Sequence, residues 1–338
     1  MKKTISAAVA LSIFAAPAIA ANLENPLYMP KQGSVYSKTS AGVMYKIADD
    51  SDAHQLKNHD GATEFPIWRV HEELGYGILD NLEAYAKFGY THDGDIDRKG
   101  IHLGRAGLKY RAINTDDGWV WDLYADAQLG GIVEMSGSYA ANGFTYDNYS
   151  TGRWGFHVGT QVGKAWSKFS TAAFVEVLRT FGNDNNSIEI SELKQIRSIP
   201  PMANIPDEIS VDLKSTTELN AGLKAFYQLD DRWSFGGGFT FKHHADNGVE
   251  GLATSLDSNG NPTIATIQQA FVDGLMPIVE DMNDGFDEYI LNLTAAYQMT
   301  DTMQVAVYGE YTFDESHVNS QNGTDVKAEL GVRLNVQF

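Results

Sequence analysis

Apolar and polar positions alternate along most of this chain, and the pattern is clearest at its C-terminal end. Ala328, Leu330, Val332, Leu334, Val336 and Phe338 form one set, and Lys327, Glu329, Arg333, Asn335 and Gln337 the other. A period of two without a lapse describes a strand that separates an apolar medium from a polar one. The preceding segment repeats it, with Val305, Val307, Tyr311 and Phe313 against Gln304, Tyr308, Glu310 and Thr312. Tyr289, Leu291, Leu293, Ala295, Tyr297 and Met299 form another apolar face, and only Thr300-Asp301-Thr302 separates the two strands.

Further upstream, Trp233, Phe235, Gly237, Phe239 and Phe241 follow Leu219, Leu223, Tyr227 and Leu229 across Asp230-Asp231-Arg232, which predicts a hairpin. Strands are also predicted from Trp154 to Val162 and from Phe169 to Phe181, joined by Ala165 to Lys168. The next pair runs from His102 to Ala112 and from Trp119 to Leu129, joined by Asn114 to Gly118. Trp68 to Ile78 and Leu82 to Tyr90 flank Leu79-Asp80-Asn81, and a first strand covers Ser34 to Ile47. The total is about twelve, an even number.

The remaining connections are longer and polar: Ala48 to Glu64, His92 to Lys99, Gly131 to Ser150, Asn183 to Glu208, Ala245 to Asp287 and Asp314 to Asp325. Short turns therefore alternate with long loops, as they do at the periplasmic and extracellular ends of transmembrane barrels. Aromatics gather at strand ends, among them Trp68, Tyr90, Trp119, Trp154, Trp233 and Tyr289, where a barrel would carry its interfacial girdles. A soluble β-sandwich is the competing architecture, but it gives no reason for the asymmetry of the connections. Two segments resist the alternation. Glu72 falls on the apolar face between Val70 and Leu74, which calls for a bulge or a changed register. In the longest loop, Ile264, Ile267, Phe271, Leu275, Ile278, Val279 and Met282 recur at helical spacing, which predicts an extracellular helix divided at Pro277. It would act as a lid or pack on the other loops, where Ile199 to Ile205 form a second apolar stretch.

The expected fold is thus an all-β, closed, antiparallel, up-and-down transmembrane barrel over 34–338 with a helix-containing extracellular loop. Residues 1–20 predict a cleaved signal peptide, with Lys2 and Lys3 before an apolar core and Ala18-Ile19-Ala20 at the cleavage site. The core is too short for a membrane anchor. Residues 21–33 then form a short periplasmic segment, too small to be a passenger. Composition is compatible with this: the mean hydropathy is −0.28, polar overall, because lipid-facing residues occupy only alternate positions. The absence of cysteine removes disulfides and thiol chemistry. The net charge of −19 argues against nucleic acid as a partner.

The Lys2-Lys3 signal with its Ala18-Ile19-Ala20 site and the closing Leu330-x-Val332-x-Leu334-x-Val336-x-Phe338 strand resemble those of Gram-negative outer-membrane barrel proteins as a class. That resemblance implies export to the outer membrane, contact with its lipids and lipopolysaccharide, and recognition of Leu330, Val332, Leu334, Val336 and Phe338 by the barrel-assembly machinery.

Strand parity predicts a charged lumen. Glu83, Lys87, Arg105, Lys109, Asp122 and Asp126 fall on that face in the N-terminal half, with Glu73 and Arg111. His157 falls on it near the middle of the chain, and Glu176, Lys224, Lys242, Glu310, Glu329 and Arg333 in the C-terminal half, with Lys327. Charges removed from bulk water persist only when paired or hydrated, so mixed signs imply an ion-paired lining or a watery path. His157 raises the question of an outer-membrane hydrolase, but no phospholipase or omptin motif accompanies it. No histidine pair has metal-ligand spacing on a helix, no cofactor motif is found, and the acidic runs Asp49 to Asp52 and Asp93 to Asp97 lack a complete calcium-loop pattern. The expectation is a non-enzymatic, narrow, passive, porin-like channel for small hydrophilic solutes. The rival readings are a non-conducting structural or surface-interaction barrel and, more remotely, a hydrolase.

Overall fold

The computed structural model describes residues 22–48, 66–93, 98–130, 132, 134–136, 138–141, 144–147, 152–190, 208–213, 215–245, 249–253, 285–314 and 325–338. The signal peptide, the helix expected in 263–282 and the apolar stretch 199–205 lie outside these residues.

Twelve strands close into one antiparallel barrel: β1 (Val35–Ala48), β2 (Ile67–Leu79), β3 (Leu82–Asp93), β4 (Arg98–Asn114), β5 (Trp119–Gln128), β6 (Gly155–Ala165), β7 (Phe169–Thr180), β8 (Thr216–Gln228), β9 (Trp233–His244), β10 (Phe286–Thr300), β11 (Met303–Asp314) and β12 (Asp325–Gln337). Each pairs with its sequence neighbours, and β12 returns to β1 from Tyr36↔Gln337 to Ala48↔Asp325. Val35 and Phe338 exchange main-chain hydrogen bonds of 3.2 and 2.8 Å at the seam, so no strand edge is left open there. The turns 80–81, 115–118, 166–168, 229–232 and 301–302 gather at one end, and Gly118 takes a φ of 88° in the second of them.

The barrel is polar inside and apolar outside. The largest side chains shielded from contact include Gln304, Asn335 and Asp122, while Leu330 is 66% exposed and Leu223 and Leu293 are each 62% exposed. Burial of this kind costs free energy in water, and it is the favourable arrangement when the surrounding solvent is hydrocarbon.

Glu72 needs no bulge. The β1–β2 register runs unbroken through Thr39↔Glu72, and the outward carboxylate accepts hydrogen bonds from Ser37 Oγ at 2.6 Å and from Thr39 Oγ1. A hydroxyl pair on the adjoining strand thus satisfies a charge on the apolar face.

Two features were not foreseen. The long connections carry a second sheet, ordered Val249–Ala253, Glu208–Leu213, Asn183–Ile190, Phe144–Asp147 and Ser138–Ala141. Residues 22–30, from the segment expected as a short periplasmic tail, also lie at the short-turn end, but inside the barrel. Their main-chain and side-chain polar groups find partners on the inward faces of the strands, which fixes them across the lumen.

Candidate functional site

The lumen face is built on a repeated fit between inward glycines and inward rings on neighbouring strands. A β-carbon on Gly75 would lie 2.1 Å from the Tyr36 ring, one on Gly159 2.4 Å from Tyr124, and one on Gly331 2.4 Å from Tyr308. Phe174 covers Gly222 in the same way, and His71 and His102 meet over Gly89 with Nε2 atoms 3.0 Å apart. Laid flat against the wall, these tyrosines turn their hydroxyls to the carboxylates. The Tyr36 hydroxyl shares its one hydrogen between Glu73, at 2.8 Å, and Glu83, while Tyr85 donates to Asp126 at 2.7 Å, Tyr124 to Glu176 at 2.7 Å, and Tyr308 to Glu329 at 2.7 Å.

Cations complete the lining. Glu73 sits between Lys38 at 3.3 Å and Lys87 at 3.5 Å, and Arg69 reaches Glu329 at 3.2 Å. Asp122, with no exposed surface, is gripped by Arg111 through Nε and Nη2 at 2.8 and 3.1 Å and by Gln161 at 3.0 Å. His157 lies between Asp126 (2.7 Å from Nδ1) and Glu176 (3.5 Å from Nε2), with the Tyr124 ring alongside. Carboxylates therefore face both imidazole nitrogens, an arrangement unlike the histidine of a hydrolase, which needs one nitrogen turned to a nucleophile. Among the described residues no group of three or more His, Asp or Glu forms a metal cage.

These walls enclose a polar cavity of about 500 Å³. Glu83, Lys87, Arg105, Lys109, His157, Glu176, Lys224, Glu310, Glu329 and Arg333 all line it. The other expected lining residues stand elsewhere on the lumen face. Asp122 and Asp126 lie behind the cavity wall, while Lys242 belongs to a cluster nearer the long loops, 3.4 Å from Glu218 and 3.5 Å from Glu288. Lys327 joins Glu288 at 3.3 Å in that cluster. On β9 and β10 the cavity meets Gly236, Asn292 and Thr294, and a β-carbon on Gly236 would find no atom closer than 3.8 Å. That side is open.

The N-terminal segment forms the cavity floor, which Leu23, Glu24, Asn25, Pro26 and Tyr28 line. Asn22 donates to Gln228 at 2.7 Å and to Ser234 at 3.0 Å, and accepts from Gln304 at 3.1 Å. Glu24 takes Arg333 and Asn335, and Asn25 accepts from Ser170 at 2.9 Å. The main-chain carbonyls of Pro26, Leu27 and Tyr28 accept from Gln161, Arg111 and Lys109 at 2.8, 2.7 and 2.9 Å. Leu27 packs on Val120 and Ala172. Strand parity gives no sign of this floor, because the segment has no period and its partners are scattered through the chain.

No protein-family model matches the chain, and no curated protein matches it at a significant level. Among solved structures, an outer-membrane channel from Pseudomonas putida F1 is similar in fold, with a TM-score of 0.55 and 12% identity over 92% of this chain and 97% of that one. The transport unit of the autotransporter AIDA-I from Escherichia coli gives a TM-score of 0.46 and 10% identity over 94% of this chain and 95% of that one. A FadL homologue from Pseudomonas aeruginosa gives 0.42 and 12% over 90% and 89%. The closed barrel and its apolar belt are those of a transmembrane β-barrel, and the chain shares that fold with the Pseudomonas putida outer-membrane channel.

Proposed function

We propose that this protein is a narrow passive channel for small hydrophilic solutes, with residues 22–30 as a plug at its short-turn end. The observation that carries the reading is a polar cavity bounded on one side by glycine and floored by a segment that is not part of the barrel wall. The fold neighbour from Pseudomonas putida, itself an outer-membrane channel, supports it. On this reading the chain has no catalytic role, Phe338 and its outward neighbours on β12 are what the barrel-assembly machinery binds, and lipopolysaccharide surrounds the long loops.

The density of bonds to the floor favours a second reading, a barrel that conducts nothing. Planar-bilayer recordings of the mature chain and of a variant lacking residues 22–30 separate the two. The channel reading expects small or infrequent conductance in the first and a several-fold larger, steady conductance in the second. A barrel that stays silent after the deletion, while keeping heat-modifiable migration on a gel, contradicts it.

A further inference from the structure

The plug is held by polar contacts of two kinds. Lys109, Arg111 and Gln161 donate to its main-chain carbonyls, contacts that any sequence could make. Glu24 is different. Its Oε2 and Oε1 accept from Arg333 Nη1 at 2.9 and 3.0 Å, and Oε1 also accepts from Asn335 Nδ2 at 2.8 Å. The strand side of this contact is organised independently of the carboxylate. Arg333 stands over the Tyr308 ring at 5.0 Å, and the Tyr308 hydroxyl is fixed in turn by Glu329. Asn335, with no exposed surface, gives its other amide hydrogen to Gln304 Oε1 at 2.9 Å, and Gln304 donates to Asn22. A guanidinium and an amide N–H group held in place by other bonds make a carboxylate receptor.

We infer that Arg333 and Asn335 form a binding site for small organic carboxylates, which Glu24 occupies as an internal ligand while the plug is seated. This rests on the reading of residues 22–30 as a plug. Glu24 and Arg333 both line the cavity, so a solute carboxylate that enters from the long-loop side meets the guanidinium directly. Exchange of one carboxylate for the other frees the Glu24 side chain, while Asn22 stays bound to Gln228, Ser234 and Gln304, and Asn25 to Tyr28 stay bound to Ser170, Gln161, Arg111 and Lys109. The ligand-opened state is therefore only part of the fully unplugged one. In this scheme a permeating acid promotes its own passage.

Succinate, with sulfate at matched ionic strength as the control, is the probe. In bilayers, succinate should raise the opening frequency of the mature chain about tenfold, to a conductance below that of the chain lacking residues 22–30. Glu24→Gln should open often without succinate and gain nothing from it. Calorimetry should detect succinate binding to Glu24→Gln but not to Glu24→Gln/Arg333→Gln, with gel migration confirming that both barrels are folded. Equal responses to sulfate and succinate, no binding to Glu24→Gln, or binding that survives the loss of Arg333 would each overturn the assignment. None of these outcomes bears on the plug itself, which the deletion tests separately.

Discussion

Two parts of the lumen wall use inward glycine for opposite ends. On β2, β6 and β12 the glycines receive Tyr36, Tyr124 and Tyr308, and the space above the backbone is filled. The rings lie flat and present their hydroxyls to Glu73, Glu176 and Glu329, so that a missing side chain on one strand orients a charge on another. On β9, Gly236 receives nothing, with its nearest neighbours 3.8 Å from where a β-carbon would be. The cavity runs along that gap. In this barrel a glycine stiffens the wall where a ring reaches it and widens the lumen where none does.

Substitutions that break the packed wall should have the largest effect. Asp122→Ala leaves Arg111 buried without its carboxylate, an uncompensated charge of the kind that costs about 3–5 kcal/mol. The temperature at which the folded band converts on a gel should fall sharply, with Asp122→Asn intermediate. Gly159→Ala should come next, because the new methyl group displaces the Tyr124 ring at a cost of about 1–3 kcal/mol. Tyr124→Ala in the same chain should recover part of that loss. Gly236→Leu sharpens the contrast: stability should stay within about 0.5 kcal/mol of the parent, while conductance of the unplugged barrel falls. If Gly236→Leu destabilises as much as Gly159→Ala, the two walls do not differ in the way described.

The smallest effect belongs to the turn between β8 and β9. The Asp230 carboxylate accepts main-chain N–H bonds from Trp233 at 2.7 Å and Arg232 at 2.8 Å, and these hold its pKa below the usual range. Because the folded value is the lower one, the stabilisation is complete above the unfolded value of about 3.9 and is lost as pH falls through the folded value. Asp230→Ala should therefore convert slightly earlier than the parent on a gel at pH 7, and the difference should vanish in strong acid.

Much of this could be read from the chain alone. The alternation about Leu330, Val332 and Leu334 is forced by the contrast between lipid and lumen, and so were the strand number and the short turns. Parity also put Glu83, Lys87 and Arg333 on the inner face. It could not say which of them pair, because contacts across a barrel depend on the stagger of the strands rather than on sequence spacing. The exchange between Glu72, Ser37 and Thr39 was hidden for the same reason. The five strands of the loop sheet were missed because polar runs such as Asn183 to Ile190 carry little hydrophobic period. The floor was missed because nothing in Asn22, Glu24 or Asn25 by itself announces Gln228, Arg333 or Ser170 as partners.

The central claim, that solute passes along the gap beside Gly236, can be tested directly because the chain has no cysteine of its own. Gly236→Cys and the outward control Phe235→Cys would each be placed in the chain lacking residues 22–30 and exposed, in a planar bilayer, to a charged water-soluble methanethiosulfonate. The account predicts a stepwise, reductant-reversible loss of current with Gly236→Cys and no change with Phe235→Cys. Current that is indifferent to modification at position 236, in a barrel shown by mass to be labelled there, would contradict it.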